Sequence, residues 1–479
     1  MSYNSKKENN SDFGSGIFSA LIEAFAEFIN LLLELFTLLM GHLVKWVVRE
    51  LSRRMSGTYH SNPVEQKHLH SKKTVTAPDY LGFSASNKRK FHLEELNTKK
   101  HTAVIGSTGS GKTVCLRVLI DHALRMGKPV IYFDPKASLE AVAVFRKMCL
   151  ANRKKLYLFT DIAEDAMPFN PLLDGTLDDI SDRIINALEW SEPFYKNESI
   201  QALDDVLQCL AESRTIITFK NILLELEKHS NKKNIKGLIN QLGKVSRSPY
   251  GTLLNNESRD VLTFNRLRLK DACIYVGISS MGHSSSGQIL NKIFFGGLLT
   301  HAKDSLIGKV PGLHNPEARP TSIIFDELSS TIHEGFIDLQ NKCRQAGMEI
   351  TYATQGPSDI DRISPILTAQ IFENTNNLFV FNQIVPAHTE FFARTFGTVT
   401  SDKKTHVMED NRKGDAGSVR EAEEFMVHGN ILRNLRVGQC VLLQRSPKRV
   451  DLLNIRNWEL GGKFEHVADK QADGAQAIF

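Results

Sequence analysis

The segment from Gly106 to Thr113 has the residue types and spacing of a site for a nucleoside triphosphate. It comprises Gly106, Ser107, Thr108, Gly109, Ser110, Gly111, Lys112 and Thr113, which fit the pattern G-x-x-x-x-G-K-[ST]. Glycines let the backbone approach phosphate oxygens closely, and the free N–H groups at a helix start favour an anion. The pattern assigns Lys112 to the β- and γ-phosphates and the Thr113 hydroxyl to Mg²⁺.

A second motif supplies the carboxylates that hydrolysis of a nucleotide requires. The apolar run Thr321–Phe325 ends in Asp326 and Glu327. We expect Asp326 to hold the Mg²⁺ shell and Glu327 to orient or deprotonate the attacking water. The Asn-Lys-x-Asp motif that reads guanine is absent from the sequence, which favours ATP over GTP. Together the two motifs predict a P-loop ATPase that uses ATP and Mg²⁺.

These motifs need a sheet that brings distant parts of the chain together. Thr102–Ile105 reads as a short strand before the glycine-rich loop, and Val114–Leu124 reads as an amphipathic helix after it. Further apolar runs are Val130–Phe133, Leu156–Phe159, Ile274–Ile278, Ile350–Ala353, Leu378–Phe381 and Cys440–Leu443. Helical patterns separate most of them, as in an α/β fold with a mostly parallel sheet. Since ligands bind at the carboxyl ends of parallel strands, the two motifs should meet there.

The segment between the two motifs is longer than one sheet needs. Residues 177–243 are rich in helix formers and poor in strand runs, which predicts an inserted all-α domain. The ATPase domain is then formed by residues 80–176 and 244–460. Several basic residues follow the insertion: Lys244, Arg247, Arg259, Arg266, Arg268 and Lys270. They could touch DNA phosphates without reading bases, although a solvated surface is the simpler interpretation.

Residues 1–54 are predicted to form an amino-terminal anchor. Ile17–Val48 is strongly apolar, and Glu23, Glu27 and Glu34 form a narrow acidic stripe at helical spacing. The helix could cross a membrane, lie on its surface, or pack against a partner helix. The basic residues that follow it place the remainder of the chain in the cytoplasm. Residues 55–79 read as a polar linker, and residues 461–479 as a flexible tail.

Composition excludes several other classes of protein. The 479 residues are 41% hydrophobic and 24% charged, which is ordinary for globular proteins and unlike collagen, disordered chains or many-pass membrane proteins. The net charge of +5 equals the excess within residues 45–73, which hold seven basic and two acidic residues. A near-neutral body argues against non-specific coating of nucleic acid. The six scattered cysteines include no C-x-x-C pair, so we expect reduced thiols.

The ordered set of motifs resembles the type IV secretion coupling proteins of conjugation, the TraG/TraD group, over residues 80–456. The matching features are His101 before the glycine-rich loop, Phe133–Lys136, Phe169–Leu172, Phe325–Leu328, Cys343–Gly347, Thr354–Ser358, Asn374–Asn377, Glu424–His428 and Leu435–Gly438. This chain differs from the group in two ways. From the sequence we expect one Glu-striped helix instead of two clear transmembrane helices, and no long acidic tail such as some members carry.

The resemblance implies a RecA-like, homo-hexameric motor anchored in the inner membrane, with its ATPase domain cytoplasmic. Such a motor passes single-stranded DNA with its attached relaxase to the secretion channel. On matching positions, Arg344 resembles an arginine finger that enters the neighbouring subunit's site. Gln355 resembles a γ-phosphate sensor. Lys136 receives no role from the sequence beyond a salt bridge to a nearby carboxylate.

Two other functions remain open at this stage. One is a soluble DNA motor of the HerA/FtsK type, which would have the same fold but would not depend on the amino-terminal helix. The other is a secretion receptor that docks protein effectors through the helical insertion and uses ATP only for assembly. DNA-stimulated ATP turnover separates the second from a motor.

Overall fold

The computed structural model describes residues 79–458 apart from short gaps. The gaps are 86–87, 99, 259, 280–283, 311–318, 333–334 and 410–411. Side chains are further left undescribed at 284 and through most of 402–420. Of the predicted amino-terminal helix, the structure describes only positions 25, 29, 33, 36–37 and 40–44, which are helical and exposed. The predictions for the rest of residues 1–54, for the linker apart from Asp79, and for the tail lie outside the described residues.

Among the described residues, no helix is long and apolar enough to cross a bilayer.

An eleven-stranded sheet forms the centre of the body. In spatial order its strands are β2, β1, β13, β12, β9, β3, β8, β7, β4, β6 and β5. Their bounds are β1 Tyr80–Ser84, β2 Lys90–His92, β3 Thr102–Ile105, β4 Val130–Asp134, β5 Leu156–Thr160, β6 Cys273–Gly277, β7 Thr321–Phe325, β8 Met348–Thr354, β9 Asn377–Val380, β12 Gln439–Arg445 and β13 Lys448–Ile455. The strands from β9 to β5 in this order run parallel, as the apolar runs predict.

The remaining strands extend one edge in antiparallel fashion. β12 pairs with β9 and with β13, and β1 pairs with β13 and β2. A separate pair, β10 Thr398–Glu409 and β11 Arg412–Phe425, forms a two-stranded sheet of its own. This pair falls in a different compact unit from the eleven-stranded sheet.

Helices connect the parallel strands. They are α1 Lys112–Arg125, α2 Leu139–Ala151, α3 Leu177–Ala187, α4 Pro193–Glu212, α5 Phe219–Leu226, α6 Lys236–Ser246, α7 Gly251–Leu254, α8 Phe264–Leu269, α9 Ser284–Leu306, α10 Phe336–Cys343, α11 Ser358–Asp361, α12 Pro365–Asn374, α13 Pro386–Phe396 and α14 Gly429–Arg433. Helices α1 and α2 share one hydrophobic core with the central strands, in which Leu116, Tyr132 and Phe145 are buried together.

The helical region between β5 and β6 is attached to the body through phenylalanines. Phe169 is fully buried, and its ring lies 5.0 Å from those of Phe264 and Phe294 and 6.2 Å from that of Phe159 (centroid distances). Next to it, Asn170 donates from Nδ2 to the Ile217 carbonyl at 2.8 Å and accepts at Oδ1 from the Leu172 N–H. The motif Phe169–Leu172 thus fixes the start of the helical region. Helices there continue to Leu269, past the position 243 predicted from composition.

Candidate nucleotide site

The glycine-rich loop joins β3 to α1 in a conformation that needs its glycines. A Cβ on Gly106 would lie 2.6 Å from both the Phe381 Cβ and the Ser110 Oγ, and Gly111 has a φ of +112°. The loop is supported from behind, since its Gly106 and Ser107 N–H groups donate to the carbonyls of Thr354 and Asn382. Helix α1 begins at Lys112, so its unpaired N–H groups and its positive dipole end face the loop. This geometry fits an anion such as phosphate.

Lys112 bends over its own loop. Its Nζ donates to the Gly106 carbonyl at 2.5 Å and to the Ser107 carbonyl at 3.1 Å. Burial lowers the pKa of the Lys112 ammonium, while Glu327 and Asp326 oppose that shift by their negative charge. The lysine and the acidic pair therefore belong to one electrostatic site, although they are more than 200 positions apart in the sequence.

Asp326 follows the last residue of β7 and is only 4% exposed. Its Oδ2 accepts from the Tyr132 hydroxyl at 3.4 Å and lies 3.9 Å from the Lys136 Nζ. Burial raises the pKa of the Asp326 carboxyl, and the charge of Lys136 acts against that increase. A buried carboxylate with so few partners is prepared to receive a cation.

Glu327 stands at the beginning of a short 3-10 turn, Leu328–Ser330. The Ser329 hydroxyl donates to its Oε1 at 3.0 Å. Burial raises the pKa of the Glu327 carboxyl, and the Ser329 hydrogen bond opposes the shift. A raised pKa makes a carboxylate a better proton acceptor, which suits the predicted role of Glu327 toward water.

Gln355 lies between the two motifs. Its strand, β8, is inserted between β3 and β7, and the register pairs Ile105 with Thr354 and Phe325 with Tyr352. Gln355 directly follows β8, and its side chain is exposed at the carboxyl edge of the sheet. It thus stands beside the glycine-rich loop on one side and the acidic pair on the other.

Asp359, which the sequence analysis did not identify, shapes the turn after β8. Its Oδ2 accepts from the Thr354 hydroxyl and the Gln355 N–H, each at 2.9 Å, and from the Gly356 N–H at 3.3 Å. Its charge also acts on Lys112 and Glu327. The sequence Gln-Gly-Pro-Ser-Asp could have indicated this role, because Asp side chains commonly accept hydrogen bonds from nearby backbone N–H groups in turns.

The donor atoms at the carboxyl edge suit Mg²⁺. Thr113 offers a hydroxyl at the first turn of α1, and Asp326 offers a carboxylate. Mg²⁺ takes one or two carboxylates plus substrate phosphates, so it does not require a cage of protein ligands. Accordingly, within the described part of the chain no group of three or more His, Cys, Asp or Glu side chains could hold a metal.

Arg344 is placed at the other edge of the sheet. It follows α10 and precedes β8, so it lies with the amino ends of the strands, and its side chain is exposed. The four residues of β3 span roughly 13 Å between the two edges. Arg344 therefore cannot reach the nucleotide site of its own protomer.

The amino-edge pocket that contains Arg344 is polar and basic. It is lined by Lys100, His101, Gln340, Asn341, Arg344, Glu373, Asn374, Thr375, Asn376, Arg445 and Ser446. His101 is buried beside it: its Nδ1 accepts from the Ile350 N–H, so its Nε2–H donates to the Gln340 carbonyl at 2.9 Å. Burial lowers the pKa of His101, which keeps the ring neutral. His101 thus joins β3, β8 and the helix that carries Arg344.

The basic residues after the helical insertion divide into two groups. Arg266 donates to the Val261 carbonyl, and Arg268 donates to the Thr321 hydroxyl at 3.2 Å, so both have structural partners. Lys244, Arg247 and Lys270 are exposed. Arg259 lies outside the described residues.

Comparison with known families gives two matches along the chain. Residues 89–263 match the family described as the central domain of the helicase HerA. Residues 320–435 match the family described as the TraM recognition site of TraD and TraG. The predicted resemblance to the TraG/TraD group is confirmed. Among curated proteins, none is significantly similar to the chain.

Solved structures show the same fold. The bacterial conjugative coupling protein TrwB, in an unbound form, has a TM-score of 0.59 and 15% identity, covering 82% of this chain and 91% of its own. TrwB with a non-hydrolysable ATP analogue gives 0.57 at 15% identity, covering 81% and 91%. VirB4 of Thermoanaerobacter pseudethanolicus gives 0.55 at 13% identity, covering 80% and 98%. The predicted α/β P-loop NTPase fold with a mostly parallel sheet is confirmed.

Proposed function

We propose that this chain is the ATP-driven coupling protein of a type IV secretion or conjugation system. It hydrolyses ATP to deliver single-stranded DNA, with its bound relaxase, to the secretion channel. The observation that carries the proposal is that the glycine-rich loop and the Asp326–Glu327 strand end share the carboxyl edge of one sheet, in a chain that matches the TraD/TraG-type family over residues 320–435. The same fold without a match to that family would support only a generic motor.

In the proposed reaction, the chain's own residues bind and orient the triphosphate. Lys112 leaves the Gly106 and Ser107 carbonyls for the β- and γ-phosphates, and the loop N–H groups hold the phosphate oxygens. Thr113 and Asp326 would hold Mg²⁺, which would supply positive charge to offset the charge that develops on the transferring phosphoryl group. Glu327 accepts a proton from the attacking water, and Gln355 reports whether the γ-phosphate is present.

Arg344 is assigned to a neighbouring protomer's site. Its position at the amino edge, with the nucleotide at the carboxyl edge, suits a ring in which the two edges of adjacent subunits meet. An arginine supplied in this way stabilises transition-state charge on the phosphoryl group. We therefore propose that the protein assembles as a homo-hexamer. We also propose that the amino-terminal helix anchors it at the inner membrane, and that relaxase and secretion-channel components are its partners.

The test is ATP turnover with and without single-stranded DNA, together with the mass of the assembly. We expect DNA to stimulate turnover severalfold and the active species to be an oligomer. Turnover that is indifferent to DNA would contradict the DNA-pumping function and favour a receptor for protein effectors.

The HerA match over residues 89–263 favours a second candidate, a DNA motor that acts without secretion. The two are separated by removing residues 1–54 and following the location of the protein in cells. A coupling protein should lose its membrane location, whereas a HerA-type motor should be unaffected.

A further inference from the structure

Several hydrogen bonds fix the backbone position of Lys136. It lies in the turn after β4, which is built around Asp134, a carboxylate that is only 1% exposed. Asp134 accepts from the Tyr275 hydroxyl at 2.7 Å and from the Lys136 N–H at 2.9 Å. It also accepts from the Ser138 N–H at 3.4 Å. A buried carboxylate costs free energy unless it is hydrogen-bonded. The hydrogen bonds that Asp134 accepts therefore hold the backbone of the turn at Lys136 in place.

The result of that turn is an ammonium group inside the nucleotide site. The Lys136 Nζ lies 3.9 Å from the Oδ2 of Asp326, and its positive charge also acts on Lys112 and Glu327. β4 is the direct neighbour of β7 in the sheet, which brings the two strand ends together. The Lys136 side chain is 55% exposed, so it has room to move.

An ordinary ion pair does not account for this position. Pairs in which one partner is half-exposed contribute little to stability. Moreover, Asp326 is the carboxylate that is expected to face Mg²⁺, and two cations beside one carboxylate would repel each other. Lys136 must therefore find another anion when the metal arrives.

The local charges indicate which anion that is. Asp326, Glu327 and Asp359 act by their charge on Lys112, and Lys136 acts on Asp326 and Glu327. A bound triphosphate would add further negative charge beside these groups. Since Lys112 is expected at the β- and γ-phosphates and Glu327 at the attacking water, the γ-phosphate is the anion nearest to an ammonium that leaves Asp326.

We propose that Lys136 is a γ-phosphate ligand in its own protomer, exchanging Asp326 for the terminal phosphate when Mg²⁺ and ATP bind. The inference rests on the proposed nucleotide function. It adds a cationic group from the same protomer at the transferring phosphate, beside Lys112 and the metal. Its role is to distinguish the triphosphate from the diphosphate state.

The experiment measures the affinity of wild type and Lys136→Met for ADP and for adenylyl imidodiphosphate, each with Mg²⁺, by calorimetry. Methionine keeps the length of the side chain and removes its charge. We expect affinity for the triphosphate analogue to fall about tenfold, the size of one charge-assisted hydrogen bond, and affinity for ADP to change less than twofold. Lys136→Arg should recover most of the preference for the triphosphate.

A matched control is Lys303→Met, which removes an exposed lysine that pairs with Asp179 at 2.8 Å in the helical region. It should leave both affinities unchanged, and thermal melting should show that all variants are folded. Equal affinities of wild type and Lys136→Met for both ligands would overturn the proposal. An equal loss of affinity for ADP and for the triphosphate analogue would also overturn it, because Lys136 would then act on the glycine-rich loop or the metal and not on the γ-phosphate.

The outcome of this binding experiment does not depend on whether the protein pumps DNA. If single-stranded DNA fails to stimulate wild-type turnover but Lys136→Met loses triphosphate preference, the coupling function fails and the role of Lys136 stands. If wild type binds neither nucleotide, both proposals are rejected.

Discussion

Arg344 and Gln355 lie at opposite ends of the same strand. Arg344 stands just ahead of β8 at the amino edge of the sheet, and Gln355 directly follows it at the carboxyl edge. All seven residues of β8 are buried between β3 and β7, so the strand cannot shift independently of its neighbours. In the proposed ring, one rigid strand would thus connect the arginine offered to a neighbour with the glutamine proposed to sense the protomer's own nucleotide.

Arg344→Ala should reduce ATP turnover by about three orders of magnitude or more, as removal of an arginine finger does, while nucleotide affinity is retained. Because the residue is proposed to act in trans, mixtures of Arg344→Ala with Lys112→Ala should recover activity at shared interfaces. Arg362→Ala, which removes another exposed arginine, is the control. Turnover per subunit that stays equal at all concentrations, in protein verified as monomeric, would refute action in trans.

Glu327→Gln should abolish hydrolysis, with a loss of at least about 10²-fold, because it removes the group that accepts a proton from water. The substitution keeps the size and the Ser329 partner of the side chain, so ATP binding should persist. Lys112→Ala should remove hydrolysis and binding together. Single-turnover kinetics and equilibrium binding, measured on the same preparations, distinguish the two variants. Wild-type turnover should decline on the acid side at a pH above the usual pKa of a glutamate, since burial raises the pKa of Glu327.

Asp359→Asn should lower kcat about tenfold with little change in ADP affinity. The aspartate carboxylate receives three hydrogen bonds that hold the turn carrying Gln355, and an amide cannot accept them equally well. Asp361→Asn, two residues away and exposed, is the matched control. A loss of equal size in both variants would mean that the region responds to general charge and not to the geometry of the turn.

His301 should make the body less stable in acid. It is buried on α9, its Nδ1 lies 2.7 Å from the Asn265 Oδ1, and burial lowers its pKa to about 3. Since the unfolded chain binds a proton near pH 6.5 and the folded chain does not, the free energy of unfolding falls as the pH drops from about 6.5 toward 3. The slope from this group is at most about 1.4 kcal/mol per pH unit.

His301→Asn should therefore flatten the dependence of unfolding free energy on pH, measured by urea denaturation between pH 7 and 4.5. The variant loses some packing at every pH, but the difference from wild type should shrink as the pH falls. A difference that stays constant across the range would show that His301 does not titrate with folding.

The central features of the site are readable in the sequence because they are local. A glycine-rich loop and an Asp-Glu strand end each occupy a few consecutive residues, and a parallel sheet brings strand ends together. Asp359 and Lys136 are different, since their roles depend on turns whose shape arises from hydrogen bonds to Gln355 and Asp134. Those turns form only once β8 and β4 are in place.

Within the antiparallel edge, the apolar run Cys440–Leu443 predicted β12, whereas β1, β2 and β13 escaped prediction for another reason. β13 places Arg449 and Asp451 inside, where Arg449 pairs with both Asp451 and Glu95, the latter at 2.5 Å. A buried ionic network removes the alternation of apolar and polar residues by which a strand is recognised. Similarly, the charged β10–β11 pair has no apolar face in its sequence.

The residues at which the chain enters the eleven-stranded body contact helix α1. Asp79 contacts His122 of α1 at 3.3 Å, and Arg456 donates to the next carbonyl, that of Tyr80, at 2.6 Å while lying 3.8 Å from Asp121. Helix α1, which begins at Lys112, is therefore in direct contact with the residues at which the eleven-stranded body begins. A displacement at Asp79 or Tyr80 would act on α1 directly, and through its first turn on the glycine-rich loop.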